Sequence, residues 1–163
     1  MTINELIALC GKDDSLDFLV IGGFAVVAHG HSRMTYDLDL LVRRSQRAAW
    51  VDLLRAAGFV IYREEANFVQ LSVPTGTTDI DLMLVANETF AEMQKNACPI
   101  SFGMIRARMV SLNHLMALKL HVLKQHQRHR GAKDMDGLIH VDSEKPIGHP
   151  LPNLRKTVPE VWQ

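Results

Sequence analysis

Apolar and polar positions recur along the chain with two different periods, which predicts a mixture of helices and strands. Residues 2–11 and 46–57 repeat apolar side chains every three or four positions, as a helix with one buried face does. Residues 68–73 and 78–85 alternate apolar with polar side chains, as a strand does. The predicted helices cover residues 2–11, 25–29, 46–57, 88–96, 112–127 and 134–140, and the predicted strands cover residues 18–21, 37–42, 59–62, 68–73, 78–85 and 105–110.

The order of these elements indicates the fold class. Helices and strands interleave without the regular alternation of a doubly wound sheet, and residues 59–85 form a run of strands. This order favours an α/β or α+β domain with a mixed β-sheet and flanking helices. We assign residues 1–140 to one domain, with a core at 18–85 and a C-terminal helical part at 111–140. Residues 141–163 hold four of the six prolines and are expected to form an extended tail.

Composition excludes some classes of function. The formal net charge is zero, so no global field attracts the chain to nucleic acid or to an acidic membrane. No apolar run reaches the ~18–20 residues that cross a bilayer, so we expect no membrane partner. Cys10 and Cys98 lie far apart in sequence and are interpreted as reduced thiols of a cytoplasmic protein.

Two pairs of aspartates interrupt apolar strands. Asp37 and Asp39 lie two positions apart and therefore share one face of a strand, and Asp79 and Asp81 repeat this arrangement later in the chain. Two such charges ~4 Å apart repel by ~1 kcal/mol in water and by ~4 kcal/mol at an effective dielectric constant of 20. A bound cation would remove this repulsion. Because the ligands are hard oxygens without an accompanying cysteine, Mg²⁺ or Mn²⁺ is favoured.

A glycine pair precedes the first aspartates. Gly22 and Gly23 end a predicted strand and open a predicted helix, where free backbone N–H groups suit a phosphate. Arg33 and Thr35 follow, and their guanidinium and hydroxyl groups can bind the same polyphosphate. Each pattern alone also occurs as an ordinary turn or as a solvated strand face. Their combination, in this order and with a second acidic strand downstream, favours a functional site that binds a polyphosphate.

The combined pattern resembles a known superfamily. The glycine pair, the RxTxDxD motif at residues 33–39 and Asp81 on a later strand are similar to nucleotidyltransferases built on the polymerase-β-type minimal core. More narrowly, the pattern resembles bacterial nucleotidyltransferase proteins of the abortive-infection toxin kind. The likeness covers roughly residues 18–140 and implies a nucleotidyltransferase-type fold.

The resemblance also implies roles for the acidic residues. Asp37 and Asp39 would be metal ligands and catalytic residues. Asp81 would be the third carboxylate, which binds metal and helps to activate the attacking hydroxyl. Asp79 lies on the same face and is the alternative to Asp81.

Further roles follow more weakly from the C-terminal part. Lys119 would contact the nucleotide phosphates, and Asp134, which follows Lys133, would orient a basic neighbour or a ligand. Toxin-like relatives carry a second aspartate three positions after the first, but this chain has Gly137 there. Basic residues between 119 and 133 are interpreted either as a solvated helix end or as a contact for RNA.

The resemblance implies a metal-dependent transfer of a nucleoside monophosphate from a nucleoside triphosphate (NTP) to an acceptor hydroxyl, with release of pyrophosphate. The acceptor would be RNA, protein or a small molecule. The protein would belong to a toxin–antitoxin system with a cognate antitoxin or toxin. The alternative is a non-catalytic nucleotide-binding or partner-binding module with the same fold, which the small size and Gly137 favour.

Overall fold

The computed structural model describes residues 1–74 and 78–126. Within these ranges the chain forms seven strands, five α-helices and one 3₁₀ turn at Arg44–Gln46. The strands are β1 (Phe18–Val20), β2 (Leu38–Arg43), β3 (Val60–Glu65), β4 (Phe68–Ser72), β5 (Asp79–Val85), β6 (Cys98–Phe102) and β7 (Ile105–Met109). The helices are α1 (Ile3–Cys10), α2 (Gly22–Ala28), α3 (Arg47–Ala56), α4 (Asn87–Lys95) and α5 (Leu112–His126).

The seven strands form one mixed sheet in the order β3-β4-β5-β2-β1-β7-β6. Strand β2 pairs with β5 in parallel and with β1 in antiparallel orientation, and β1 pairs with β7 in parallel. The pairs β3–β4, β4–β5 and β6–β7 are antiparallel. The predicted mixed sheet with flanking helices is confirmed, and it places β2 beside β5, the two strands that carry the aspartates.

The core lies on the apolar side of the central strands. Leu38, Leu40 and Leu82 are fully buried, whereas the aspartates that alternate with them are partly exposed. Trp50 of α3 packs edge-on against Phe18 of β1, with ring centroids 5.9 Å apart. Helix α2 packs against β2 and α5. The alternation along each strand therefore separates the core from a polar face.

Local sequence signals explain where two helices begin. The Thr2 hydroxyl accepts a hydrogen bond from the Glu5 backbone N–H, and the Glu5 carboxylate accepts one from the Thr2 N–H, which is a capping box. At α5 the Ser111 hydroxyl accepts a hydrogen bond from the His114 N–H at 3.4 Å. The predicted cap at Ser111 is confirmed.

The observed elements depart from the predicted ones in three places. Helix α2 begins at the glycine pair, where the sequence pattern opens a helix, but strand β3 ends at Glu65, three residues later than predicted. Strand β2 begins at Leu38, so Asp37 immediately precedes the strand. Strand β6 was not predicted, because Pro99 interrupts its pattern. Pro99 is tolerated because β6 lies at the edge of the sheet.

Some predictions lie outside the described residues. They are the helix at 134–140, the extended tail at 141–163 and the domain boundary between them. No helix in the described part of the chain is long and apolar enough to span a bilayer. Both cysteines are free thiols, and burial raises the pKa of Cys10 to about 12.

Candidate active site

The glycine turn is in direct contact with Asp39. Gly22 has φ +61°, a conformation that L side chains rarely adopt, and a Cβ atom there would lie 1.8 Å from Asp39 Oδ2. The Gly23 N–H donates to the same oxygen at 3.4 Å, and the Ile21 N–H donates to the Asp39 carbonyl at 3.0 Å. Position 22 therefore requires glycine for both its backbone conformation and the space that Asp39 fills.

Thr35 lies against the second glycine. A Cβ atom on Gly23 would lie 2.2 Å from Thr35 Oγ1. The loop from α2 to β2 thus returns to the start of α2 and brings the Thr35 hydroxyl to the glycine turn. The structure places Gly22, Gly23, Thr35 and Asp39 together.

A row of three polar side chains crosses the sheet next to this turn. Asp39 of β2 lies directly opposite Asp81 of β5 in the parallel ladder, where neighbouring strands are ~4.8 Å apart. Gln70 of β4 lies opposite Asp81 on its other side. The Gln70 Nε2 group donates to Asp81 Oδ1 at 3.0 Å and to Asp81 Oδ2 at 2.9 Å.

Two further aspartates border this row. Asp37 precedes β2, and its negative charge raises the pKa of both Asp39 and Asp81. Asp79 lies at the start of β5 opposite Ser72, and its charge also raises the pKa of Asp81. The register therefore places Asp81, rather than Asp79, directly beside Asp39.

The two central carboxylates share a site that disfavours their negative charge. Burial is the main cause that raises the pKa of Asp39. The positive charge of Lys119 and the hydrogen bond from the Gly23 N–H lower this pKa and partly oppose the effect of burial. Burial also raises the pKa of Asp81 to about 7, with the Asp39 charge adding to the effect and the Gln70 amide opposing it. A bound cation would favour the ionised form of both groups.

Two basic side chains face this acidic group. Lys119 of α5 and Arg33 of the loop between α2 and β2 both lower the pKa of Asp39 by their positive charge. Both cations predicted to bind phosphate therefore act on the central carboxylate. Lys133 and Asp134 lie outside the described residues.

The donor set fits a magnesium or manganese ion that is shared with a substrate. Within residues 1–74 and 78–126, no three histidine, cysteine, aspartate or glutamate side chains are grouped so as to hold a metal ion by themselves. Mg²⁺ is usually bound by one or two carboxylates together with substrate phosphates and water. Asp39 and Asp81, with Asp37 next to them, supply oxygen ligands of this kind beside the glycine turn.

Two residues of the site were not identified from the sequence. Gln70 belongs to the polar face of the alternating strand 68–73, but only the strand register shows that it adjoins Asp81. Tyr62 is half-exposed on β3, where the register shifts between Ile61 and Arg63. Partial burial raises the pKa of Tyr62, and the nearby charges of Asp81, Asp79 and Asp37 raise it further. Tyr62 therefore lies near these three aspartates.

Solved structures with the same fold are nucleotidyltransferases. The antibiotic-resistance factor ANT(2'')-Ia in solution superposes with a TM-score of 0.68 at 15% identity, over 96% of this chain and 87% of that one. A crystal structure of ANT(2'')-Ia in complex with adenylyl-2''-tobramycin gives a TM-score of 0.64 at 16% identity, over 86% and 91% of the two chains.

Two other proteins share the fold. The lincosamide antibiotic adenylyltransferase LnuA, with lincomycin bound, has a TM-score of 0.60 at 12% identity, over 86% of this chain and 98% of that one. An antigenic nucleotidyltransferase-like protein from Paracoccidioides brasiliensis has a TM-score of 0.56 at 15% identity, over 95% and 81%. No protein-family model matches the sequence, and no curated protein matches it. At these identities the likeness is one of fold, and the chain has the nucleotidyltransferase-type fold.

Proposed function

We propose that the protein is a metal-dependent nucleotidyltransferase. It transfers a nucleoside monophosphate from an NTP to an acceptor hydroxyl and releases pyrophosphate. The observation that carries this proposal is the contact between the glycine turn and Asp39, which in turn lies beside Asp81. A turn that suits phosphate and carboxylates that suit a divalent cation thus lie in one place.

The chain supplies several groups for the triphosphate. The backbone of Gly22 and Gly23 and the Thr35 hydroxyl lie together at the turn. Arg33 and Lys119 add two positive charges that act on Asp39. Such charge-assisted hydrogen bonds would orient the triphosphate so that its α-phosphate lies near Asp39 and Asp81.

The aspartates would hold Mg²⁺ or Mn²⁺. Asp39 and Asp81 are the first ligands by position, and Asp37, whose charge acts on both, is the further candidate ligand. When bound, the cation supplies charge neutralisation for the phosphate oxygens during transfer. Asp79 lies two residues earlier on β5, opposite Ser72, and is the weaker alternative to Asp81.

The chemical step is an in-line substitution at phosphorus. The acceptor oxygen forms a bond to the α-phosphorus while the bond from that phosphorus to the oxygen bridging the β-phosphate breaks, and its electron pair leaves with pyrophosphate. The acceptor proton passes to the Asp81 carboxylate. The Asp81 carboxylate lies beside Asp39 and is ionised when a cation is bound, so it can accept this proton.

Among the acceptor classes, a small hydroxyl-bearing molecule has the most support. Two of the proteins with this fold carry antibiotics in their structures, as adenylyl-2''-tobramycin in ANT(2'')-Ia and as lincomycin in LnuA. RNA and protein acceptors, and with them a role in a toxin–antitoxin pair, follow from the sequence resemblance alone.

Nucleotide binding tests the site first. A ligand that binds only the native state at a hundredfold excess over its Kd stabilises that state by about 2.7 kcal/mol. We therefore expect Mg²⁺ with at least one NTP to raise the melting temperature of the wild type, and Asp39→Asn to abolish the rise. A melting curve that no NTP shifts would contradict the proposal.

Turnover separates the enzyme from the non-catalytic alternative. The wild type would be incubated with Mg²⁺ and α-³²P-labelled NTPs, together with tobramycin, lincomycin, total RNA or cell extract. Label on an acceptor supports the enzyme, and the class of acceptor decides between small-molecule modification and a toxin. Binding without label on any acceptor supports a nucleotide-binding module.

A further inference from the structure

Gln70 makes the closest polar contact that the structure describes at Asp81. Its Nε2 atom lies 3.0 Å from Oδ1 and 2.9 Å from Oδ2, so one amide nitrogen bridges both carboxylate oxygens. Both distances are those of well-formed hydrogen bonds. An amide at this position restrains the carboxylate, because a change of the Asp81 χ1 rotamer would break both contacts.

The strand register holds Gln70 in place. The two residues that flank it on β4, Val69 and Leu71, are fully buried and lie opposite Leu82 and Ile80 of β5. A slip of one residue would turn these apolar side chains to solvent and Gln70 into the core. The core side of the sheet therefore sets the position of the amide on the polar side.

The contact leaves Asp81 able to bind another partner. An ionised carboxylate has about four lone-pair sites, and the two contacts of the amide leave the remaining sites available. Asp39 lies on the other side of Asp81, across the β2–β5 ladder. Without a donor, repulsion from Asp39 would favour other rotamers of Asp81, since like charges directly opposite on paired strands are destabilising.

We infer that Gln70 is a positioning residue, which holds the Asp81 carboxylate beside Asp39 in the orientation that a divalent cation requires. This inference rests on the proposed function, because it assigns Gln70 a role in that same site. Partners that orient a metal ligand typically contribute 10- to 100-fold to metal affinity or activity.

Gln70→Met tests this role, because methionine keeps the length of the side chain and removes both N–H donors. Binding of Mn²⁺ would be measured by electron paramagnetic resonance, alone and with the NTP that stabilises the wild type most. We expect the apparent Mn²⁺ affinity to fall about 10- to 100-fold. The melting temperature without metal should stay within about 3 °C of the wild type.

Two further variants provide controls. Ser72→Ala alters the same face of β4 two residues further on, opposite Asp79, and should keep wild-type Mn²⁺ affinity. Asp81→Asn removes the proposed ligand itself and should weaken Mn²⁺ binding at least as much as Gln70→Met. If Asp81→Asn weakens binding and Gln70→Met does not, the inference about Gln70 is wrong and the proposed function stands. If the wild type binds no Mn²⁺ under either condition, the proposed function fails.

A measurement on the wild type covers the case in which Gln70→Met does not fold. The side-chain amide ¹H–¹⁵N signals of Gln70, assigned in the wild type, should shift when Mg²⁺ and NTP are added. Signals that stay unchanged while the backbone signals of Asp39 and Asp81 shift would overturn the inference.

Discussion

Gly22 and Gly58 have the same kind of backbone but different surroundings. Both have positive φ angles, +61° and +92°. A Cβ atom on Gly22 would overlap the Asp39 carboxylate, whereas a Cβ atom on Gly58 would meet nothing within 4 Å. A substitution at Gly58 therefore serves as a control, because it strains the backbone but does not touch the site.

Gly22→Ala should abolish nucleotide binding, and Gly58→Ala should preserve it. Both substitutions place alanine in the left-handed region, at a cost of about 1–2 kcal/mol in the free energy of unfolding. Gly22→Ala must also displace Asp39, so its loss of stability should be larger. Urea denaturation and the NTP-induced rise in melting temperature measure the two effects. Equal nucleotide binding by both variants would show that the contact between the turn and Asp39 does not contribute to nucleotide binding.

The raised pKa of Asp81 makes stability depend on pH. Its pKa is about 7 in the native state against 3.8 for an unperturbed aspartate, so between these values the native state binds more protons than the unfolded state. The contribution of Asp81 to the free energy of unfolding therefore falls as pH rises from about 4 to 7, and the penalty is complete above pH 7.

Asp81→Asn should remove this penalty. In EDTA at pH 8 we expect the variant to be more stable than the wild type by at least about 1 kcal/mol, because each unit of pKa shift corresponds to about 1.4 kcal/mol. The difference should shrink towards pH 4. Chemical denaturation at a series of pH values measures it, and a difference that does not vary with pH would contradict the assigned pKa.

At the scale of elements, Arg43 joins the end of β2 to its neighbours. Its guanidinium donates to Asp17 Oδ2 at 3.3 Å, to the Asn87 carbonyl at 3.1 Å and to Gln94 Oε1 at 3.4 Å. It also lies 4.3 Å from the centroid of the Phe90 ring. One planar side chain thus connects β2 with the segment before β1 and with α4, and it fixes the strand that carries Asp39.

Arg43→Lys should therefore destabilise the fold. A lysine ammonium has neither the fork of donors nor the flat face that these contacts use, so we expect a loss of about 1–2 kcal/mol. Arg44→Lys changes the neighbouring residue, whose side chain is exposed and bonds to Asn67, and should cost less than about 0.5 kcal/mol. Thermal denaturation of both variants measures their losses of stability, and equal losses would contradict the role of Arg43.

Hydrophobic periodicity predicted most elements because their apolar residues face the core. The strands at 18–21, 37–42 and 78–85 were found with boundaries that differ by one residue at most, and Ser111 caps α5 as expected. Strand β6 was missed because Pro99 lacks the N–H of a paired strand, and only the edge position of β6 makes this acceptable.

At the scale of the whole molecule, the site depends on strand order, which no local pattern specifies. Asp39 and Asp81 become neighbours because β2 pairs with β5, although three elements separate these strands in sequence. The residue types predicted which side chains are candidates for the site, since neighbouring carboxylates on half-buried strands favour a bound cation. The place of Gln70 beside Asp81 depends on the β4–β5 register, which forms only in the complete sheet.

The proposed reaction is attack of an acceptor on the α-phosphate of an NTP. It is tested by parallel reactions with α-³²P- and γ-³²P-labelled NTP, each with Mg²⁺ and the acceptor that becomes labelled. We expect the α-label to move to the acceptor and the γ-label to be released as pyrophosphate. Both results should disappear with Asp39→Asn. Transfer of the γ-label to the acceptor, or release of orthophosphate in place of pyrophosphate, would contradict it.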